Sequence, residues 1–137
     1  MVKAFLDTSY AIALANPADQ FHQRAIQLAD QLEANRTLLV TTQAILLEIG
    51  NALSKQRYRR AAVMLLDSLE QDPTVEIVTL TSSLYESAFQ LFCERSDKEW
   101  GLVDCLSCVV MNNQGISVAL TSDSHFRQMG FAALLRD

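Results

Sequence analysis

Two hydrophobic periods alternate along this chain. VKAFL (2–6), TLLVTT (37–42), VEIVTL (75–80) and ISVALTS (116–122) are short apolar runs bounded by turn or polar residues, and they predict strands. Between them the period lengthens. FHQRAIQLADQLEAN (21–35) places Phe21, Ala25, Leu28 and Leu32 on one stripe, which predicts an amphipathic helix. Helices are also predicted over 43–55, 57–71, 82–95 and 102–113. DTSYAIALAN passes from strand through a turn into a helix that Thr8 or Ser9 can cap. A short helical turn and FAALL (131–135) close the chain.

Strands that alternate with helices predict an α/β fold, a parallel sheet covered on both faces. The 137 residues fit one domain, 1–137, with no linker, repeat or low-complexity tract. In such folds ligands bind at the carboxyl ends of the strands, near the point where strand order reverses. Asp7 and Asp123 each follow a predicted strand, so they belong to one edge of the sheet.

Composition adds exclusions. Half the residues are hydrophobic and 20% are charged, which excludes a disordered chain. No apolar run reaches the roughly 18 residues of a membrane span, and Asp7 comes too early for a signal peptide, so the expected location is cytoplasmic with no membrane partner. Cys105 and Cys108 form a C-x-x-C inside a predicted helix, with too few further N or S ligands for zinc, and read as small buried hydrophobes. A net charge of −5 argues against a nucleic-acid coat protein but not against a nucleic-acid enzyme. One basic cluster exists: Lys55, Arg57, Arg59 and Arg60, with Tyr58 among them, are four of eleven cations. It reads as a solvated helix face, a phosphate contact or an interface with an acidic segment.

The acidic residues change the picture most. Asp7 is the only charge between Lys3 and Asp19, Glu48 the only one between Arg36 and Lys55, and Asp104 and Asp123 the only two between Glu99 and Arg127. A lone carboxylate in an apolar segment costs several kcal/mol, on the order of a buried ion's desolvation, unless it is paired. No isolated Lys or Arg matches these four, so a metal cation is the expected partner. Oxygen ligands of this kind suit Mg²⁺ or Mn²⁺, and such a cluster fits metal-assisted phosphoryl chemistry. Asp97 and Glu99 read as a solvated helix-initiating cluster, Trp100 as packing, and His125 as a turn residue near enough to Asp123 to touch a substrate.

FLDTSY, ILLEIGNAL, WGLVDCLSCVVM and ALTSDSHF, in this order and spacing, resemble the PIN-domain ribonucleases, and most of all the toxins of the VapC type in type II toxin–antitoxin pairs. The resemblance covers nearly the whole chain. It implies a three-layer α/β/α fold with a central parallel sheet of about five strands, and a metal-dependent endoribonuclease that hydrolyses RNA with Mg²⁺ or Mn²⁺. It implies Asp7 and Asp104 as direct ligands, Glu48 orienting the attacking water or a second ion, and Asp123 binding metal through water. Ser9 matches a small polar position that supports the first Asp, and Thr121 or Ser122 could support a ligand in the same way. The implied partners are RNA, a cognate antitoxin and a second copy in a homodimer. A housekeeping PIN-type nuclease of RNA or DNA, or a non-catalytic PIN binding module, remains the alternative. A dehalogenase-type phosphatase needs an Asp where Ser9 stands, and a receiver domain needs a lysine after its last strands, where none follows Lys98.

Overall fold

The apolar run at Ala4–Leu6 becomes the middle of a five-stranded, all-parallel sheet in the computed structural model, which describes residues 2–137. Its strands are β1 (Lys3–Leu6), β2 (Leu38–Thr42), β3 (Val75–Val78), β4 (Val118–Leu120) and β5 (Ala132–Ala133), in the order β3-β2-β1-β4-β5. The helices are α1 (Thr8–Ala15), α2 (His22–Ala34), α3 (Gln43–Ala52), α4 (Gln56–Gln71), α5 (Ser82–Glu94), α6 (Leu102–Gln114) and α7 (Ser124–Gln128). None of the described helices is long and apolar enough to cross a membrane.

The order decides the layers. From β1 the chain steps outward through β2 to β3, then returns across the sheet to β4 and β5. Right-handed crossovers put α1–α4 on one face and α5–α7 on the other, giving the expected three layers. Consistently, α1 packs on α2 and α3, α3 on α4, and α5 and α7 on α6. With helices on both sides, Ala4, Phe5 and Leu6 are essentially excluded from solvent, which accounts for their unbroken apolar run. The rings of Phe5 and Phe126 lie 6.3 Å apart and tie α7 to the central strand. Local signals set the helix ends: the Thr42 and Thr81 hydroxyls accept the Ile45 and Leu84 N–H groups, and Gly115 ends α6 at a φ of 67° that a residue with a Cβ rarely adopts.

The four predicted strands are all shorter than their apolar runs. β1 turns into α1 at Thr8, so the last bond to β4 runs from the Asp7 N–H to the Leu120 carbonyl. Beyond Leu120 there is no strand left to pair with on that side. β3 stops at Val78 because β2 has become α3, and the Leu80 N–H bonds the Gln43 side chain instead. FAALL contributes two strand residues and a turn.

Removing the Phe126 ring takes out a fully buried side chain and the main anchor of α7. Phe126→Ala is expected to lower stability by about 3–5 kcal/mol, read as a shift of the urea midpoint without a change in slope.

Candidate active site

The strand order reverses between β1 and β4, and the crevice outside their carboxyl ends is where a ligand of such a sheet belongs. Asp7 stands there at the N-cap of α1, 7% exposed. Register places Leu6 opposite Leu120, so the residue facing Asp7 is Thr121. The Thr121 hydroxyl donates to Asp7 Oδ2 at 2.7 Å, and Ser9 Oγ lies 3.3 Å from the same oxygen. Ser9 Oγ also lies 3.1 Å from Thr121 Oγ1 and accepts the Ser122 N–H, while Thr121 Oγ1 accepts the Asp123 N–H. These bonds fold the chain after β4 back onto the start of α1. They also fix where Asp123 goes.

Asp123 is not at the strand end, as its run of residues predicts, but three residues past it. Once β4 has lost its partner, Thr121 turns the chain, and Asp123 becomes the N-cap of α7, accepting the His125 N–H at 2.9 Å. This brings His125 Nδ1 to 3.0 Å from Asp104 Oδ2 and 3.4 Å from Asp123 Oδ1. Asp104 sits in the first turn of α6, where the helix dipole favours a carboxylate, and its Oδ2 also accepts the Gly101 N–H at 3.0 Å. Both contacts fall on Oδ2. Asp104, Asp123 and His125 each offer a ligand atom within 4.8 Å of the others.

Glu48 comes from α3, which starts at the same sheet edge, and its Oε1 accepts the Thr8 hydroxyl at 2.7 Å. Glu48 and Asp7 are therefore held by neighbouring residues of one turn. Burial, with a smaller contribution from the charges of Asp104 and Glu48, pushes the Asp7 carboxyl up to about 6 against the Thr121 hydroxyl and Thr8 N–H bonds that lower it. Three carboxylates thus feel one another around a crevice, and Asp123 joins them through His125. The described residues place no Lys or Arg in salt-bridge contact with any of the four.

This donor set fits a hard divalent cation: carboxylate oxygens at a half-open crevice, repelling one another and held from behind by hydroxyl and N–H donors. An apolar groove of about 410 Å³ begins beside Glu48, lined by Ala44, Leu47, Tyr85, Val103 and Leu106 among others.

A PIN-domain family model matches residues 4–132. The chain belongs to the PIN-domain family. It is 29% identical over 127 residues to the 23S rRNA-specific endonuclease VapC20 of Mycobacterium tuberculosis, covering 93% of this chain and 94% of VapC20. The crystal structure of that protein, described as a sarcin–ricin loop cleaving toxin, superposes with a TM-score of 0.82 at 28% identity, over 94% of this chain and 96% of the other. The fold is shared more distantly with VapBC2 of Rickettsia felis, solved on a promoter DNA fragment (TM-score 0.67, 16% identity, 97% of each chain). FitAcB of Neisseria gonorrhoeae shares it too (TM-score 0.64, 16% identity, 95% of this chain and 94% of the other).

In this PIN domain several neighbours differ from the acidic cluster. Asp97 is exposed and paired with Arg95, whose guanidinium also covers the Trp100 ring. Trp100 is buried and donates to Gln128, a packing role. Cys105 and Cys108 are buried in α6, and burial pushes both thiols up. Sequence reasoning missed the Thr8 bond to Glu48 and the contact of His125 with Asp104, because each joins segments far apart in the chain.

The raised Asp7 carboxyl has a measurable consequence. Its proton is held more tightly in the folded chain than in the unfolded one, so its contribution to stability is present below pH 3.8 and lost as pH rises through about 6. In chelator at pH 7.5, Asp7→Asn is expected to be more stable than wild type by up to about 3 kcal/mol, with the gap closing by pH 4. Urea unfolding at the two pH values checks this.

Proposed function

We propose that this PIN domain is a metal-dependent endoribonuclease, the toxin of a toxin–antitoxin pair, with its active centre at Asp7, Glu48, Asp104 and Asp123. The observation that carries the reading is the convergence of four otherwise solitary carboxylates, from four elements, on the crevice at the switch point. Near-full-length similarity to a 23S rRNA-specific endonuclease supports RNA as the substrate. Ribosomal RNA is the class to test first.

Asp7 and Asp104 would hold Mg²⁺ or Mn²⁺, with Glu48 and Asp123 at its flanks. When bound, the ion lowers the pKa of a water and offsets charge gathering on the scissile phosphate. The chain's own residues prepare the site. Thr121 and Ser9 fix the Asp7 carboxylate against the repulsion of its neighbours. Thr8 aims Glu48 into the crevice, where it can orient a water. His125 and Gly101 hold Oδ2 of Asp104, which leaves Oδ1 for a cation. A scaffold without catalysis would have no use for carboxylates assembled at this electrostatic cost.

The protein partners of this reading are a cognate antitoxin and a second copy of the chain. Exposed Leu47, Leu80, Tyr85, Phe89 and Phe92 on and beside α5, next to the groove at Glu48, support a protein-covered surface there. A cytoplasmic location follows from an RNA substrate and an antitoxin partner.

Cleavage of ribosomal RNA is expected with Mg²⁺ or Mn²⁺ and none in chelator. Asp7→Asn and Asp104→Asn should each lower the rate at least about 100-fold, while Thr121→Val, which loosens Asp7 and the turn that places Asp123, should cost roughly 10- to 100-fold in metal affinity or rate. Gel analysis of cleavage across a metal titration measures both. Undiminished cleavage by the Asn variants would remove the assigned centre.

A further inference from the structure

The cations at the start of α4 are placed against the helix dipole. Lys55 is the N-cap, Arg57, Arg59 and Arg60 follow within the first turn and a half, and Asp67 and Glu70 lie toward the other end. Helices favour the reverse order. The pairs Arg57–Arg60 and Lys55–Arg59 also have the spacing at which like charges on one helix face repel. Helix stability gives no reason for this arrangement. An anionic partner does.

The protein makes little use of these groups itself. Lys3, Arg95 and Arg127 are each engaged by a side-chain acceptor. Among the described residues Lys55, Arg57 and Arg60 have no ion pair and no hydrogen-bond acceptor, and Arg59 reaches only the Ser54 carbonyl. All four are exposed. Arg57 lies 4.8 Å over the half-buried Tyr58 ring, which covers that face and leaves backbone charge, not base stacking, as what the patch can read.

Placement supplies the third observation. α4 delivers the chain to the start of β3, so it runs back along the sheet from the carboxyl edge. Its sixteen residues span about 24 Å against about 13 Å for the four of β3, so with its last turn near the start of that strand the helix is long enough to carry its first turn to that edge, the edge of the acidic cluster. Lys55 is at most roughly 16 Å from Glu48 along the chain. The acidic cluster repels a polyanion and cannot recruit one unaided. Cations set apart from the carboxylates add attraction without neutralising the groups a metal needs.

We propose that Lys55, Arg57, Arg59 and Arg60 form a phosphate-binding surface for RNA, gripping the substrate backbone to one side of the scissile bond. The surface is independent of sequence, and it rests on the ribonuclease reading above.

The test uses full-length Asp7→Asn protein, which does not consume its ligand, and a fluorescein-labelled ribosomal RNA stem-loop read by anisotropy. Adding Arg57→Glu with Arg60→Glu is expected to weaken binding at least about tenfold and to flatten the dependence of log K on log salt by about 1.5–2. Arg57→Lys with Arg60→Lys should keep most of the affinity. In the otherwise wild-type chain the Glu pair should raise KM about tenfold with kcat little changed. Equal affinity and an equal salt slope would overturn the surface even while cleavage persists. Salt-dependent binding lost in the Glu pair would uphold the surface even if no RNA were cut, which separates its failure from that of the nuclease. Unchanged RNA binding with lost capture of the cognate antitoxin would assign the patch to protein and overturn the proposal.

Discussion

The hydrogen bond from Thr121 to Asp7 joins the ends of β1 and β4 at the one place where the sheet changes direction. Much of the site depends on it. It holds a carboxylate, 7% exposed, in a fixed orientation among other negative charges. Through Thr121 Oγ1 it also turns the chain so that Asp123 caps α7 and His125 reaches Asp104. One contact thereby couples three of the four acidic residues to the sheet. The fourth, Glu48, is tied in by the adjacent Thr8.

The electrostatics explain why this arrangement asks for a cation. Burial and the charges of Asp104 and Glu48 both disfavour ionised Asp7, and the Thr121 hydroxyl and the Thr8 backbone N–H offset only part of that. No Lys or Arg among the described residues stands in salt-bridge contact with the four carboxylates to supply the missing positive charge. The exposed cations at the start of α4 stand apart from the cluster, where they can meet an anion without collapsing onto the carboxylates. Separating the two signs gives the crevice room for a metal and gives the surface a hold on a polyanion.

Much of this was legible in the residues. The two hydrophobic periods located every helix and four of the strands, because a strand buried on both faces must be apolar throughout. Strand ends were less legible: β3 and β4 stop where β2 and β1 bend into helices, a constraint carried by the neighbour and not by the strand itself. The same holds at the site. Asp7, Glu48, Asp104 and Asp123 stand out because each is alone in an apolar stretch. Thr8 and His125 do not, since their partners are 40 and 21 residues away and only the fold brings them together. Asp123 reads as a strand-end residue because its run is unbroken to Ser122. The turn made by Thr121 is a tertiary effect.

The central claim is that the crevice between β1 and β4 is a divalent-metal site. Anomalous diffraction from crystals of this protein soaked in Mn²⁺ tests it most directly. The expected result is a peak in the crevice about 2.1 Å from carboxylate oxygens of Asp7 and Asp104, absent in Asp7→Asn. A crevice without a peak at saturating Mn²⁺, or a peak there that Asp7→Asn leaves unchanged, would contradict it.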